Sequence, residues 1–542
     1  MKVPPGVSPD DFAEAIKQFE EAVGKEWVFT SDEDVALYRD AYSPFWGEKD
    51  ELVASAAVAP DNVEQVQKVV KIANHYKIPI YPVSTGKNLG YGGSAPAYSG
   101  SVVLDLKRMN RILEVNERNA FALVEPGVSY FDLYRYIQEK GIKLWVDVPD
   151  PGWGSPIGNS LDRGGGYLLP QYRNHFDSHC GMEIVLANGE VMRTGMGALP
   201  GAQTWQQYKS GFGPWIDGLF SQSNFGVVTK MGFWLLPAPD SYLSGTVMVP
   251  RHNDLIPLID ILGYVENTGA TNGMPFFGSP LLARGPLGAA GPEPDPELTG
   301  LLAKPGGASP EEMDQYALKK GISQWSCTLS FYGAPRANAA NWEFAKEKFS
   351  VIPGAQFADG GSYKLPLTPE QQAKFNLPQF GIPSLQMFSI GARSDTNPTP
   401  ANGHIWFSPI IPRTGEAVFE ANRVFRDAAK ELGLPIPPFS LPTCYWERAF
   451  IFLFGFPITH DIEANKKNRA SFQRLVQIAA EHGWGEYRTA PAHQAAVMNT
   501  YSFNNHALLR FHETVKDAVD PNGILSAGRY GIWPKHLREA KS

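Results

Sequence analysis

Between residues 53 and 106 the chain sets its apolar runs in an order that leaves few ways to fold. VASAAVAP at 53–60 reads as a short buried strand, and DNVEQVQKVVKIAN after it as a helix with Asp61 at its start. IPIYPV at 78–83 is a second strand, SVVLDL at 101–106 a third, and the glycine-rich loop STGKNLGYGG at 84–93 lies between them. Strand, helix, strand, glycine loop and strand in that order predict an α+β or α/β unit. A helix precedes the unit: Phe12, Ala15, Ile16, Phe19 and Val23 recur at helical spacing, and either Ser8 or Asp10 can cap its free amides. Beyond it come FALVEPG at 121–127, a helix over 129–140, a strand at LWVDV (144–148) and a strand at 226–235. Residues 181–193 have hairpin grammar, two strands joined at Ala-Asn-Gly.

A chain of 542 residues exceeds what one hydrophobic core usually serves, so two or three domains are expected. A second region begins near residue 243, with helices at 310–320, 339–349, 415–432 and 465–482 and strands near 325–332 and 404–410. Gly, Pro and Ala dominate 270–313, a long loop or lid candidate. With 53 glycines and 45 prolines the chain needs many fixed turns, yet its 43% hydrophobic share recurs end to end and does not read as disordered. A net charge of -8 with no basic stripe speaks against nucleic acid as a partner. Cys180, Cys327 and Cys444 stand far apart in no metal-like spacing, and reduced, buried or semi-buried thiols are expected. The adjacent His179 and Cys180, and His506 and His512 six apart, make no ligand set, so no metal is expected. The N-terminus lacks the apolar core of a secretory signal and no run is long enough for a membrane span, so a cytoplasmic location without membrane contact is the default.

The loop at 84–93 follows a strand ending in Pro82 and Val83 and carries four glycines. Glycine lets backbone approach a ligand without a Cβ, and successive amides can form an anion-binding nest. The loop has neither GxGxxG nor GxxxxGK[ST], so a nicotinamide fingerprint and a P-loop are unsupported, and a plain turn fits the loop alone. Residues 147–159 and 223–230 likewise set Gly and small polar residues between strand-like runs. Three such loops facing one extended, flat cofactor is the functional reading, and composition does not identify it.

The motifs together identify a family. STGKNLGYGG, LWVDVPDPGWGS, GEVMRTGMGALP at 189–200, SQSNFGVVTKMG at 221–232, GHIWFSP at 403–409, WGEYRT at 484–489 and VDPNGIL at 519–525 span nearly the full length in family order. The chain resembles the vanillyl alcohol oxidase and eugenol oxidase family and, more distantly, the flavoprotein subunit of p-cresol methylhydroxylase. The resemblance implies an α+β, two-domain flavoprotein: an FAD-binding domain at 1–242 plus 485–542 and a substrate or cap domain at 243–484. It implies FAD held by Ser84, Thr85, Gly86, Lys87, Asn88, Gly90, Tyr91 and Gly92, by Gly154, Ser155, Gly158 and Asn159, and by Gly226, Val228 and Arg529. His404 matches the histidine that carries the flavin covalently, whereas sequence chemistry alone allows either a nucleophilic or a merely hydrogen-bonded imidazole.

Tyr91, Tyr487 and Arg488 match the set that binds the substrate as a phenolate. Stabilising an anion whose neutral form has a pKa near 10 needs donors and positive charge, although Arg488 can equally pair with Glu486 or another acid. Asp150, rather than its neighbour Asp147, falls in the register of the acid beside the reacting carbon; read locally, it is also an ordinary turn residue before Pro151. The resemblance implies hydride transfer from the benzylic carbon of a para-substituted phenol to flavin N5, through a p-quinone methide, with molecular oxygen reduced to hydrogen peroxide. A homo-oligomer is implied as well. Electron transfer to a cytochrome or other acceptor is the alternative within the class, and a redox-inactive aromatic-binding protein the alternative outside it. Two segments depart from the family: GYLLPQYRNH at 166–175, expanded by two residues, and PTCYWERAF at 442–450. Both are expected to reshape the substrate cavity or its rim.

Overall fold

The computed structural model describes residues 2–88, 90–281, 295–304, 308–385, 403–434, 444–446 and 448–539, the side chains of 444–446 excepted. Its first sheet is the one that the opening motif dictates. Ala57–Val58 and Ile80–Val83 flank Val102–Asp105 in parallel, with Val28–Phe29 antiparallel at the edge. Parallel neighbours require a crossover, supplied by the helix Val63–Tyr76. Val63, Val66, Val69, Val70 and Ala73 face the sheet, and the helix Pro9–Val23 packs Phe12, Ile16 and Phe19 into the same core.

Two details of this unit differ from expectation. The cap of the crossover helix is Asn62, whose side chain accepts the Gln65 amide at 2.9 Å, because Asp61 lies one residue too early to reach that amide. The strand expected over 53–60 contracts to Ala57–Val58: Val53 and Ser55 give their amides to Ser99 Oγ and the Ser101 carbonyl outside the ladder, and Pro60 has none to give. Ser8 rather than Asp10 caps the first helix.

A second, antiparallel sheet has the order Ile112–Asn116, Phe121–Val124, Val227–Trp234, His179–Val185, Val191–Arg193 and includes the expected hairpin at Asn188-Gly189. Its Val185 and Val227 join the core of the first sheet, so the two sheets share one apolar interior. A third sheet runs Phe276–Gly278, Trp325–Gly333, Ser241–Val249, Gln356–Lys364, and is backed by helices Leu255–Asn267 and Pro335–Phe349. The last begins four residues earlier than expected, since Pro335 suits a first helical turn. Helices Gly415–Leu432 and Ile462–Glu481 extend this core around Phe407, whose ring meets Phe425, Phe454 and Phe472 at 5.4, 5.9 and 5.8 Å. The lid candidate at 270–313 holds a strand, Phe276–Gly278, and a helix, Pro296–Leu302, while 282–294 and 305–307 lie outside the described residues. The fold is thus α+β. Cys180 and Cys327 are free and buried; the Cys444 side chain lies outside the described residues. No helix among the described residues is long and apolar enough to cross a membrane.

The chain returns to its first sheet at the end. Leu525 bridges Ile80 in parallel, with Ile80 N–H donating to the Ile524 carbonyl at 2.7 Å. A buried ion pair fixes this return: Lys516 Nζ meets Asp520 Oδ2 at 2.7 Å and the carbonyls of Asn224 and Leu525 at 2.8 and 2.6 Å. Asp520 in turn accepts the amides of Ile524 and Leu525. Removing one member of such a pair leaves the other charged without compensation, typically costing about 3–5 kcal/mol. Lys516→Met is therefore expected to lower the thermal midpoint by several degrees and to expose the segment 520–530 to early proteolysis, read by scanning calorimetry and timed cleavage.

Candidate active site

The glycine loop is folded tightly against its surroundings. Gly86, Gly90 and Gly92 take φ of 67°, 78° and 102°, the left-handed region in which a Cβ is strained. A Cβ at Gly86 would overlap Ser94 Oγ, and one at Gly158 would overlap Ser84 Oγ, so two loops distant in sequence meet backbone to side chain. They border a cavity of about 680 Å³, within the usual span of about 300–1,000 Å³ for small-molecule sites.

Ser84, Thr85, Gly86, Lys87, Asn88, Tyr91, Gly92, Gly154, Ser155, Gly158, Asn159, Gly226, Val228, His404 and Arg529 all line this cavity, as do Asp150, Tyr487 and Arg488. Gly90 does not line it. It sits behind the wall, where its carbonyl accepts the Trp406 amide at 3.2 Å and a Cβ would meet Trp406 and His404.

Sequence reading missed the group that ties these segments together. Asp162, on the turn after the short helix Pro156–Leu161, receives Arg529 Nη2 at 2.7 Å, Asn88 Nδ2 at 2.7 Å and the Tyr530 hydroxyl, and stands 3.7 Å from Arg488 Nη1. Burial acts to raise its carboxyl, but the two guanidinium groups and the Tyr530 and Asn88 hydrogen bonds outweigh burial and hold it below its ordinary value of 3.8. No local motif marks Asp162: its partners lie about 70 residues before it and more than 300 after it. Arg488 therefore takes an acid partner, and the acid is Asp162, not Glu486. Glu486 is buried, its carboxyl pushed well up by desolvation, and it accepts the Ser408 amide.

The pair with Asp162 leaves the Arg488 guanidinium in the cavity wall, its carbon 3.9 Å from the Tyr91 ring centroid and 5.2 Å from that of Tyr487. Arg488 Nε has no hydrogen-bond partner. The two phenol rings stand 6.3 Å apart at 85°; the Tyr91 hydroxyl pairs with Ser408 Oγ at 2.9 Å, and that of Tyr487 donates to the Arg163 carbonyl. Burial pulls the guanidinium pKa down, yet Tyr487, Tyr91 and Asp162 outweigh it, so Arg488 stays a cation.

Asp150 occupies another part of the wall. Its Oδ2 accepts the Tyr167 hydroxyl, while its buried Oδ1 has no partner. Burial raises its carboxyl to about 6, against the opposing Tyr167 hydrogen bond. Asp147, the neighbour set aside on register, is absent from the lining and spends its oxygens on the amides of Tyr167 and Leu168. Met274, Phe276, Ile451 and Leu453 give the cavity an apolar face. The expanded segment 166–175 contributes Tyr167 and Arg173 to the wall; of the 442–450 segment, 442–443 and 447 and the side chains of 444–446 lie outside the described residues.

His404 lies on the strand Gly403–Phe407, paired with Phe454–Ile458. It is packed between Tyr42 and Trp406, with ring centroids at 5.1 and 4.3 Å. Desolvation lowers its pKa to about 4, and neither ring nitrogen has a partner. A neutral imidazole with an unpartnered ring nitrogen, on a residue that lines the cavity, is chemically able to act as a nucleophile near pH 7.

Comparison with known proteins places these features in context. Residues 54–195 match the model of an FAD binding domain. The chain is 32% identical over 538 residues to the 4-cresol dehydrogenase [hydroxylating] flavoprotein subunit of Pseudomonas putida, covering 98% of this chain and 97% of that protein. Among solved structures, the 4-ethylphenol oxidase of Gulosibacter chungangensis in its isoeugenol complex superposes with a TM-score of 0.82 at 34% identity, covering 99% of this chain and all of that one. Substrate-bound p-cresol methylhydroxylase superposes with a TM-score of 0.81 at 30% identity, covering 98% and 99%.

The cavity fits FAD on its own chemistry. The glycine walls admit close backbone approach, and two guanidinium groups set against one carboxylate leave a surplus of positive charge for the anion that a flavin becomes on two-electron reduction. Asp162 carries that arrangement. Its folded-state pKa is depressed, so its contribution to stability is complete above about 3.8 and is lost as the pH falls below that value. Asp162→Asn is expected to lower the thermal midpoint and loosen flavin retention at pH 7, and the deficit in midpoint should shrink below pH 4; melting curves across that range, followed by flavin fluorescence, read both effects.

Proposed function

This chain belongs to the vanillyl alcohol oxidase and p-cresol methylhydroxylase family of FAD flavoproteins, and from that premise we propose that it oxidises para-substituted phenols with alkyl, allyl or hydroxymethyl side chains. The observation that carries the reading is the Arg488 guanidinium, laid on the Tyr91 and Tyr487 rings with its Nε free, across a cavity that also holds the Asp150 carboxyl. A permanent cation with an unspent donor is what binding a phenol as its anion requires.

Arg488, with Tyr91 and Tyr487, holds the phenol oxygen and lowers its pKa, so the phenol loses its proton at neutral pH. The phenolate electron pair then pushes toward the para position, and a hydride leaves the carbon attached there, converting the substrate to a p-quinone methide. FAD, when bound, supplies the two-electron acceptor. Asp150, ionised above about pH 6, offsets the positive charge that develops at that carbon. Its free Oδ1 can take a proton from an adding water or from the next carbon of the side chain, giving an alcohol or an alkene. Met274, Phe276, Ile451 and Leu453 offer the side chain an apolar berth.

Residues 1–242 with 485–542 serve the cofactor in this proposal and 243–484 the substrate, with Ser84 to Asn88, Tyr91, Gly92, Gly154, Ser155, Gly158, Asn159, Gly226, Val228 and Arg529 about the flavin and Gly90 behind them. Oxygen takes the electrons and leaves as hydrogen peroxide, and the protein works as a homo-oligomer. Similarity to a subunit named as a dehydrogenase favours a second reading, transfer to a cytochrome or other acceptor. Substrate-reduced protein reoxidised by air alone supports oxygen, and reoxidation only after adding an electron carrier supports the second reading.

His404 is assigned as the covalent flavin anchor, supported by its neutral, unpartnered imidazole on the cavity wall. The protein is expected to stay yellow after acid denaturation, and His404→Ala to release flavin into the supernatant; release from the unaltered protein sinks the link. In an aerobic panel of 4-alkylphenols, vanillyl alcohol and eugenol, at least one compound should bleach the flavin. Arg488→Ala should cut kcat/KM on the order of 100-fold to 1,000-fold. The rate of bleaching should rise with pH through about 6, and Asp150→Asn should be slow and flat across that range.

A further inference from the structure

Asp150 depends on a residue that its own motif does not contain. Resting on the role given to Asp150 above, we propose that Tyr167 is its positioning residue: the Tyr167 hydroxyl ties up Oδ2, so that Oδ1 alone is presented to substrate or water. Tyr167 belongs to the expanded segment 166–175, and its placement is fixed from several sides. Its amide donates to Asp147 Oδ1 at 2.9 Å, and the next amide, of Leu168, donates to Asp147 Oδ2 at 3.3 Å. Its carbonyl accepts the Met274 amide at 3.4 Å. Its ring stacks on Phe276 at 6.1 Å and 5°, so the edge strand of the third sheet holds the ring in place.

This arrangement has chemical consequences. A carboxylate with one oxygen tied to a fixed donor cannot turn about its Cβ–Cγ bond without breaking that hydrogen bond, so Oδ1 is the one oxygen left without a partner. The bond also favours the ionised form, opposing burial. Other charged or titratable groups on the cavity wall are Tyr81, Lys87, Tyr91, Asp162, Arg173, His404, Tyr487, Arg488, Arg529 and Tyr530, yet burial and Tyr167 are the two influences that act on Asp150. Tyr167 thus acts on both the direction and the protonation of the acid.

The test is a double-mutant cycle on flavin-loaded protein: the unaltered chain, Tyr167→Phe, Asp150→Asn and the double variant, each melted between pH 5 and 9. Asp150 has a folded-state pKa above its unfolded value, so its burial penalises the fold increasingly as the pH rises from the ordinary value of 3.8, and the penalty is complete above about 6. Asp150→Asn should therefore gain thermal midpoint over the unaltered chain as the pH rises toward about 6 and hold that gain at higher pH. With Phe at 167 the crossover at which that gain levels off should lie roughly one pH unit higher, and the final gain should be larger, since the donor favouring the carboxylate is gone. The pH profile of flavin reduction in Tyr167→Phe should move up by the same amount. An unmoved stability crossover overturns the proposal. A moved crossover with an unmoved reduction profile keeps the hydrogen bond and overturns the catalytic role of Asp150 instead. Should Tyr167→Phe not accumulate, Phe276→Leu removes the stacked ring but leaves the hydroxyl; the crossover should then move in the same direction by less, and no movement overturns the proposal.

Discussion

One carboxylate, Asp162, shapes the cavity by holding three distant parts of the chain to its own turn, parts that the backbone alone would not bring together. Asn88 comes from the glycine loop, Arg488 from the segment after the helix Ile462–Glu481, and Arg529 and Tyr530 from the C-terminal return. Arg529 also reaches the Tyr81 hydroxyl at 3.1 Å, connecting the group to the strand that precedes the glycine loop. Burying a carboxylate is costly unless it is paired and hydrogen-bonded, and here it is both. The same bonds that stabilise Asp162 orient Arg488, so the electrostatics of the site and the closure of the fold are one arrangement.

Desolvation decides what the remaining groups can do. It lowers His404 to about 4 and raises Asp150 to about 6, in opposite senses because burial disfavours the charged form of each. It also raises the carboxyl of Glu486, beside Arg488 in sequence, and that side chain accepts the Ser408 amide while Arg488 pairs with Asp162. A neutral base, an acid that ionises below pH 7 and a fixed cation thus occupy one cavity. Among the described residues no cluster of three or more His, Cys, Asp and Glu is placed to hold a metal ion.

The first sheet was legible because its information is local. Period, glycine and capping residues lie within about 50 residues, and the strands Ile80–Val83 and Val102–Asp105 appear where the apolar runs put them. Boundaries were less legible where a side chain or loop outside the run takes the backbone hydrogen bonds, as at Val53 and Ser55. The site residues carried by motifs, Asp150, His404, Tyr487 and Arg488, line one cavity. Asp162 and Tyr167 escaped notice because their importance is a matter of contact. An aspartate after a short helix and a tyrosine between glycine and leucine have no distinctive spacing, and only folding brings their partners within reach.

The expanded segment 166–175 shows why the family's chemistry and its substrate preference part company in sequence. Tyr167 at its start faces Asp150, while Arg173 near its end is buried, gives Nε and Nη2 to the Leu168 carbonyl and meets Glu266 at 3.4 Å. Glu266 also takes Arg413 at 2.6 Å, so this segment is tied to the helix Leu255–Asn267 and to the turn before Gly415–Leu432. A buried group of this kind is weak evidence for stability but strongly constrains geometry, since no member can move without leaving a charge unpaired. Phe276 and Met274 approach from the third sheet and meet Tyr167 at the same place. The cofactor side of the cavity is therefore set by Asp162 and the glycine loop. Its apolar side is set by how this segment is wedged against the third sheet and its helices, so the length of 166–175 bears on the berth proposed for the substrate side chain more directly than on the corner formed by Tyr91, Tyr487 and Arg488.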